Sequence, residues 1–324
     1  TVVEDCINYG NIYVDVQSRV SGKIIMAQAG AAGVAGKSNG NILRCANYGK
    51  ITCVKTGSNV AGIVSSISSA KLEDCYNVGI IEAKAKYVGG IAALASVTEV
   101  KNCHSYGRIS AEEISDGRGV MISAVAGSSS NNSLPNSTFI NNYYLKSTVP
   151  DGYSGVTVLI RDSVITAGEY QVFPDENGKN EAKDASEFAD GTVLKLLNGE
   201  AGSVFGQRIG KDEYPIFQRL IDEENERNMA AAKAVEDMIF ALQPVTKDSG
   251  DAIKAARDAY DALTPEQKEL VSKDALDALE KAEKQYAMIT DSNKPDASDK
   301  GDKGDGVIKI AAKGDSKGEQ NPNT

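Results

Sequence analysis

The chain has 324 residues, no tryptophan, 6% aromatic residues and a net charge of −10, so its core must be built from small and branched side chains. Residues 1–150 carry net +3 and the remainder net −13, with no basic stripe in either part, which argues against nucleic acid as a partner. No apolar run reaches the roughly 20 residues needed to span a bilayer, so no membrane span is expected. The length allows two domains or three small ones. The chain opens on Thr1 inside a repeated phrase, and we expect a processed or excised piece of a longer protein.

Four phrases dominate the first part: EDCINYGNI, LRCANYGKI, EDCYNVGII and KNCHSYGRI. Aligned on Cys6, Cys45, Cys75 and Cys103, they are spaced by 39, 30 and 28 residues. Three residues before each Cys stands Val3, Ile42, Leu72 or Val100, and two after it Asn8, Asn47, Asn77 or Ser105. Gly10, Gly49, Gly79 and Gly107 follow, then Ile12, Ile51, Ile81 and Ile109. A second anchor closes each unit, at Ala31–Val34, Val60–Ile63, Val88–Ile91 and Gly117–Val120.

A period of 28–30 residues marks a stacked array, and the apolar runs are too short, too β-branched and too often broken by Asn and Gly for helices. The spacing predicts a β-solenoid of about 28–30 residues per coil. Each coil would hold a strand into the Cys, an Asn-x-Gly turn, a strand through the Ile and a third at the second anchor. Asn and Gly tolerate the positive φ of a tight corner. Stacking would set equivalent side chains about 4.8 Å apart in columns that no single unit could bury.

The cysteines lie one coil apart rather than in the close pairs of zinc sites, which argues against a metal. Parallel neighbours rarely offer the dihedral of a disulfide. The expectation is therefore four reduced, buried ladder thiols, with Cys53 alone open to a reagent.

The phrases "NC-x-N-x-G-x-I" and "VGGI" resemble the GLUG repeat of Firmicutes surface proteins and of some IgA-specific metallopeptidases. The resemblance covers residues 1–127 and fades through a degenerate unit, INNYYL, in which Tyr143 stands for the Cys and Ile140 lies three before it. Residues 151–217, with "VLKLLN" and a terminal Tyr-Pro, resemble the closing segment of such arrays. A capping segment makes sense, because open strand edges invite pairing.

From Gln218 the period changes to helical. Val235, Met238, Ile239 and Leu242 share one face, and Ile253, Ala256, Tyr260 and Leu263 another. Thr264, Pro265 and Gln267 spell a capping box with proline at the first helical position. A last face carries Leu276, Leu279, Ala282, Tyr286 and Ile289. These faces predict an antiparallel three-helix bundle over 218–290. The core "AR-x-AYDALT-x-EQK-x-LV" resembles a helical module of Gram-positive surface proteins that lies between a folded head and the wall. Residues 291–324 collapse to Lys, Asp, Gly and Ser and are expected to be disordered. The final QNPNT resembles an LPXTG-type sortase signal, with Asn321 where that signal has Leu. The resemblance implies that Thr324 becomes amide-linked to peptidoglycan.

Catalytic signals are thin. The one histidine, His104, occupies a slot that holds Ile7, Ala46 or Tyr76 in the other units, and is expected to face outward. A Cys103–His104 pair would point to opposite faces of a strand. The H-E-x-x-H of a metallopeptidase is absent. Glu112–Glu113 reads as a solvated loop, and DSGDA and DKGDKGD lack the distal Glu of a calcium loop. No catalytic residue, cofactor or metal ligand is expected. The leading expectation is a non-catalytic, extracellular, wall-associated adhesive protein whose solenoid meets a host protein or glycan. The alternatives are an accessory segment of a larger surface peptidase and a carbohydrate-binding module.

Overall fold

The computed structural model describes residues 1–15, 20–21, 24–25, 30–112, 120–130, 136–160, 169–200 and 202–292. The chain divides into two compact units, Thr1–Glu226 and Arg227–Thr324.

The first unit is β-rich, and its strands are almost all parallel. Each of the four cysteine repeats contributes to all four sheets. Val2–Glu4, Asn41–Leu43, Lys71–Glu73, Glu99–Lys101 and Thr138–Ile140 lie side by side in one. Ile7–Asn8, Ala46–Asn47, Tyr76–Asn77, His104–Ser105, Asn142–Leu145 and Asn180–Lys183 form the second. The third is built on Ile51–Ala61 and Ile81–Gly89, and the fourth runs from Ala35–Ser38 to Glu169–Phe173, the last strand antiparallel. Parallel neighbours need a long crossover, and here the remainder of each repeat supplies it.

The in-register pairing stacks like on like. Ile42, Leu72 and Val100 are fully buried in one column, and Ile51 and Ile81 in another with Ile109 2% exposed. Burying each such side chain contributes about 1.5–3 kcal/mol, but only because a neighbouring unit covers it.

Two registers and one corner differ from those expected. The fifth unit places Asn142, not Tyr143, in the cysteine column, because Phe139 pairs with Val100 and Tyr143 with His104. There the Asn142 amide accepts from Cys103 N at 2.9 Å and donates to Val100 O at 3.0 Å. The fourth second-anchor is Ile122–Val125, since Val88 pairs with Ile122 and Gly89 with Ser123; residues 117–119 of the expected anchor lie outside the described residues. The tight corner is also elsewhere. One left-handed corner is the residue before the cysteine column, at Asp5, Arg44, Asp74, Asn102 and Asn141, with φ between 49° and 57°, and a second is at Ser69 and Val97.

In the second unit, three long helices share an apolar cluster and a short one joins the second to the third. They are Gln218–Phe240, which crosses the boundary between units, Gly250–Asp261, Pro265–Glu269 and Lys273–Asp291. Val235, Ile239, Leu242, Ile253, Ala256, Leu279 and Ala282 are buried in it, while Met238 is exposed. The Thr264 box forms as spelled: Gln267 N donates to Thr264 Oγ1 at 3.3 Å, and Thr264 N to Gln267 Oε1 at 3.0 Å. Arg257 clasps Glu283 through two bonds of 2.8 and 2.9 Å. No helix among the described residues is long and apolar enough to cross a membrane.

Candidate functional site

The cysteine, asparagine and glycine columns are three adjacent ladders. Cys45, Cys75 and Cys103 are fully buried, and all five cysteines are free thiols. Each buried ladder thiol donates to the carbonyl two residues before it: Cys45 to Leu43 O at 3.2 Å, Cys75 to Glu73 O at 3.2 Å and Cys103 to Lys101 O at 3.3 Å. Cys75 Sγ also accepts from Cys45 N at 3.4 Å. Burial pushes the Cys75 thiol well above its ordinary pKa, away from the reactive thiolate. Two expectations are corrected here. Cys6 is exposed, because it stands on the outer edge of the stack, and Cys53 is buried at 3%.

The Asn side chains chain the units together. Asn8 Nδ2 donates to Asn47 Oδ1 at 2.7 Å, and Asn47 Nδ2 to Asn77 Oδ1 at 2.8 Å. Each also donates to the carbonyl of the glycine two residues on, Gly10, Gly49 and Gly79, at 2.8 to 3.0 Å. The glycines are there for close approach, not for positive φ. A Cβ on Gly49, Gly79 or Gly107 would drive into the glycine carbonyl of the neighbouring unit. The sequence marks these positions; their reason is visible only in the stack.

His104 is placed differently from the expectation. Its side chain leaves the strand opposite Cys103, as alternation requires, but it is fully buried. Residues 184–217 cover that flank with the helices Ala185–Ala189 and Thr192–Asn198 and the paired strands Phe205–Gly206 and Ile216–Phe217. An Asp184–Glu187 capping box starts the first helix. Asn198 holds Phe205 through both amide atoms, at 2.9 and 3.2 Å. The imidazole stacks on Tyr76 at 4.9 Å and meets Phe205 edge-on at 5.4 Å. Nε2 bonds to Pro215 O at 3.0 Å, while Nδ1 is buried without a partner. Desolvation lowers its pKa to about 3, so the ring is neutral at pH 7. The sequence marks 151–217 as a closing segment, but no pattern links residues 111 positions apart, so its packing on the His104 flank was not legible.

The outward faces carry paired charges. Lys50 meets Glu82 at 2.8 Å, and Arg108 reaches the same carboxylate at 3.6 Å. The Lys50 bond holds the Glu82 carboxyl below its usual range. Lys101 meets Glu73 at 2.8 Å, and Arg44 meets Glu4 and Asp5 at 2.8 and 2.9 Å. On the third sheet lies a shallow groove of about 360 Å³, lined by Thr52, Val54, Glu82, Lys84, Ser110 and Glu112 among others. A second cleft, of about 280 Å³, opens at Phe139, Val156, Phe173 and Asn180.

Among the described residues, no group of three His, Cys, Asp or Glu side chains is placed to hold a metal ion. Glu112 ends a strand, while Glu113, the DKGDKGD run, the tail from 293 and Thr324 lie outside the described residues. No protein-family model matches the chain, and no curated protein or solved structure does either.

Proposed function

We propose that the chain is a non-catalytic, cell-surface repeat protein whose first unit is a β-solenoid of GLUG-like coils. Its outward ladders meet a host protein or glycan. The three-helix bundle that follows it in the chain acts as a spacer, and Thr324 joins the chain to peptidoglycan. The observation that carries this reading is where the reactive groups are spent. His104 is packed neutral against aromatic rings, and Cys45, Cys75 and Cys103 bond to backbone carbonyls inside a ladder. What is left on the surface is a regular array of paired charges and an exposed ring, Tyr13 at 67%, suited to contact rather than chemistry.

Two measurements test it. Protease shaving of intact cells should release peptides from residues 1–292, and wall digestion should release the chain still attached to a peptidoglycan fragment at Thr324. Recovery of the chain only from lysed cells overturns the surface reading. On glycan and host-protein arrays the purified chain should bind saturably, and Tyr13→Ala or Glu82→Lys should weaken that binding. Hydrolysis of an array member by the chain would overturn the non-catalytic reading.

A further inference from the structure

The outer edge of the first repeat carries residue types that the structure uses only where another unit lies beneath. Gly49, Gly79 and Gly107 have no room for a Cβ, because the glycine carbonyl of the preceding unit fills that place. Gly10 stands in the same column, yet a Cβ there would meet only its own unit's Asn8 Oδ1, at an ordinary 3.6 Å. Its φ is not positive either, so neither close approach nor turn geometry requires glycine at this position. Cys6 repeats the pattern: its column is fully buried at Cys45, Cys75 and Cys103, but Cys6 is exposed. Asn8 completes it. Asn47 and Asn77 each take an amide proton from the unit below, whereas Asn8 Oδ1 accepts only from Gly10 N of its own unit, at 3.1 Å.

The backbone follows suit. Ala46 N donates to Cys6 O and Tyr48 N to Asn8 O, at 2.9 and 2.8 Å. By the same register, Ile7 and Tyr9 turn their N–H groups to the open side, beside Val2 at 51% and Tyr9 at 65% exposure. An unprotected edge of this kind is a template for another strand.

We propose that this edge is an interface for one further unit of the same phrase, supplied by the same polypeptide N-terminal to Thr1 and stacked parallel and in register. The pairing already present identifies the source, because neighbours in the ladder are always consecutive in sequence, 28 to 39 residues apart. A second copy does not fit. Its far edge offers Asn142-Tyr143-Tyr144 in place of Cys-x-Asn, and Asn180–Lys183 already pairs there. Two first edges meeting would not set a glycine carbonyl over Gly10 in parallel register. The inference concerns an interface and holds whatever ligand the outward faces take.

The gene decides the first point: 28 to 39 codons before Asn8 another Asn-x-Gly is expected, and its absence overturns the proposal. The second test compares the 324-residue chain with the parent polypeptide under native thiol labelling. Cys6 should react in the former and be as slow as Cys75 in the latter; equal reactivity overturns the proposal. Gly10→Ala provides a readout that does not depend on the thiol. It should leave the melting temperature of the 324-residue chain unchanged and lower that of the parent as Gly49→Ala does. Silence in both overturns the proposal.

Discussion

At the scale of single residues, the repeated phrase holds its letters for three different reasons. Valine, leucine and isoleucine are there for burial, cysteine for a small side chain that can still reach a carbonyl, and glycine for the absence of a Cβ. Gly79 isolates the third reason. A methyl group there must push apart the backbones of adjacent units, which are fixed by hydrogen bonds above and below. Gly79→Ala is expected to cost about 1–3 kcal/mol, the range of overpacking in a tight core. Gly36→Ala, where a Cβ meets nothing within 4 Å, should be nearly silent in the same denaturant titration. Equal effects would refute the close-approach account. The thiols give a second residue-scale test. Under native conditions a maleimide should modify Cys6 alone, and the other four should react only on denaturation. Rapid native labelling of Cys75 would show that the column is open.

At the scale of elements, the repeat spacing marked the main columns, because one residue type recurs at each position. But it pointed to three strands per unit where four sheets form and Asn8, Asn47 and Asn77 lie in strands. It failed where types change. In the fifth unit Asn142 replaces the cysteine and a tyrosine follows, so the conspicuous aromatic drew the alignment one residue along. The fourth anchor misled for a similar reason, since a Gly-Val word lies a few residues before the Ser123-Ala124 that fills the slot. The flank cover was marked in the sequence as a closing segment by VLKLLN and Tyr-Pro, but nothing local placed it against His104. Its contact with the stack converges on His104, and that contact should make the first unit sensitive to acid. Around the ring stand Tyr76, Phe188, Phe205 and the Pro215 carbonyl. Of these only Tyr76 titrates, and burial pushes its pKa upward. Because His104 has a folded pKa of about 3 against an ordinary 6.5, the unfolded chain binds a proton that the folded chain refuses. The stabilising contribution is complete above about pH 6.5 and is lost as pH falls toward 3. Over most of that window the slope is about 1.4 kcal/mol per pH unit. His104→Phe keeps an aromatic ring in the slot and removes the titration. Urea midpoints measured between pH 6 and 4 should therefore fall less steeply in the variant by about one proton's worth. Parallel slopes would mean that the imidazole is solvated.

At the scale of the whole molecule, the two units are held by separate cores. The stack and its cover share apolar contacts among residues up to Leu220, whereas the helical cluster draws on Ala232 to Tyr286. Their ways of being stable also differ. A stacked unit gains almost all its burial from the next repeat, so a fault in one layer is felt by its neighbours. The helices instead close on one small core, supported by the Thr264 box and the Arg257–Glu283 clasp. Separate cores predict separate transitions in calorimetry, each answering to its own substitution. Leu279 is fully buried in the helical cluster, and Leu279→Ala should cost about 2–5 kcal/mol there while leaving the other transition in place. Gly79→Ala should do the reverse. If either substitution lowers both transitions together, or if only one transition exists and both substitutions shift it, then the two units fold as one.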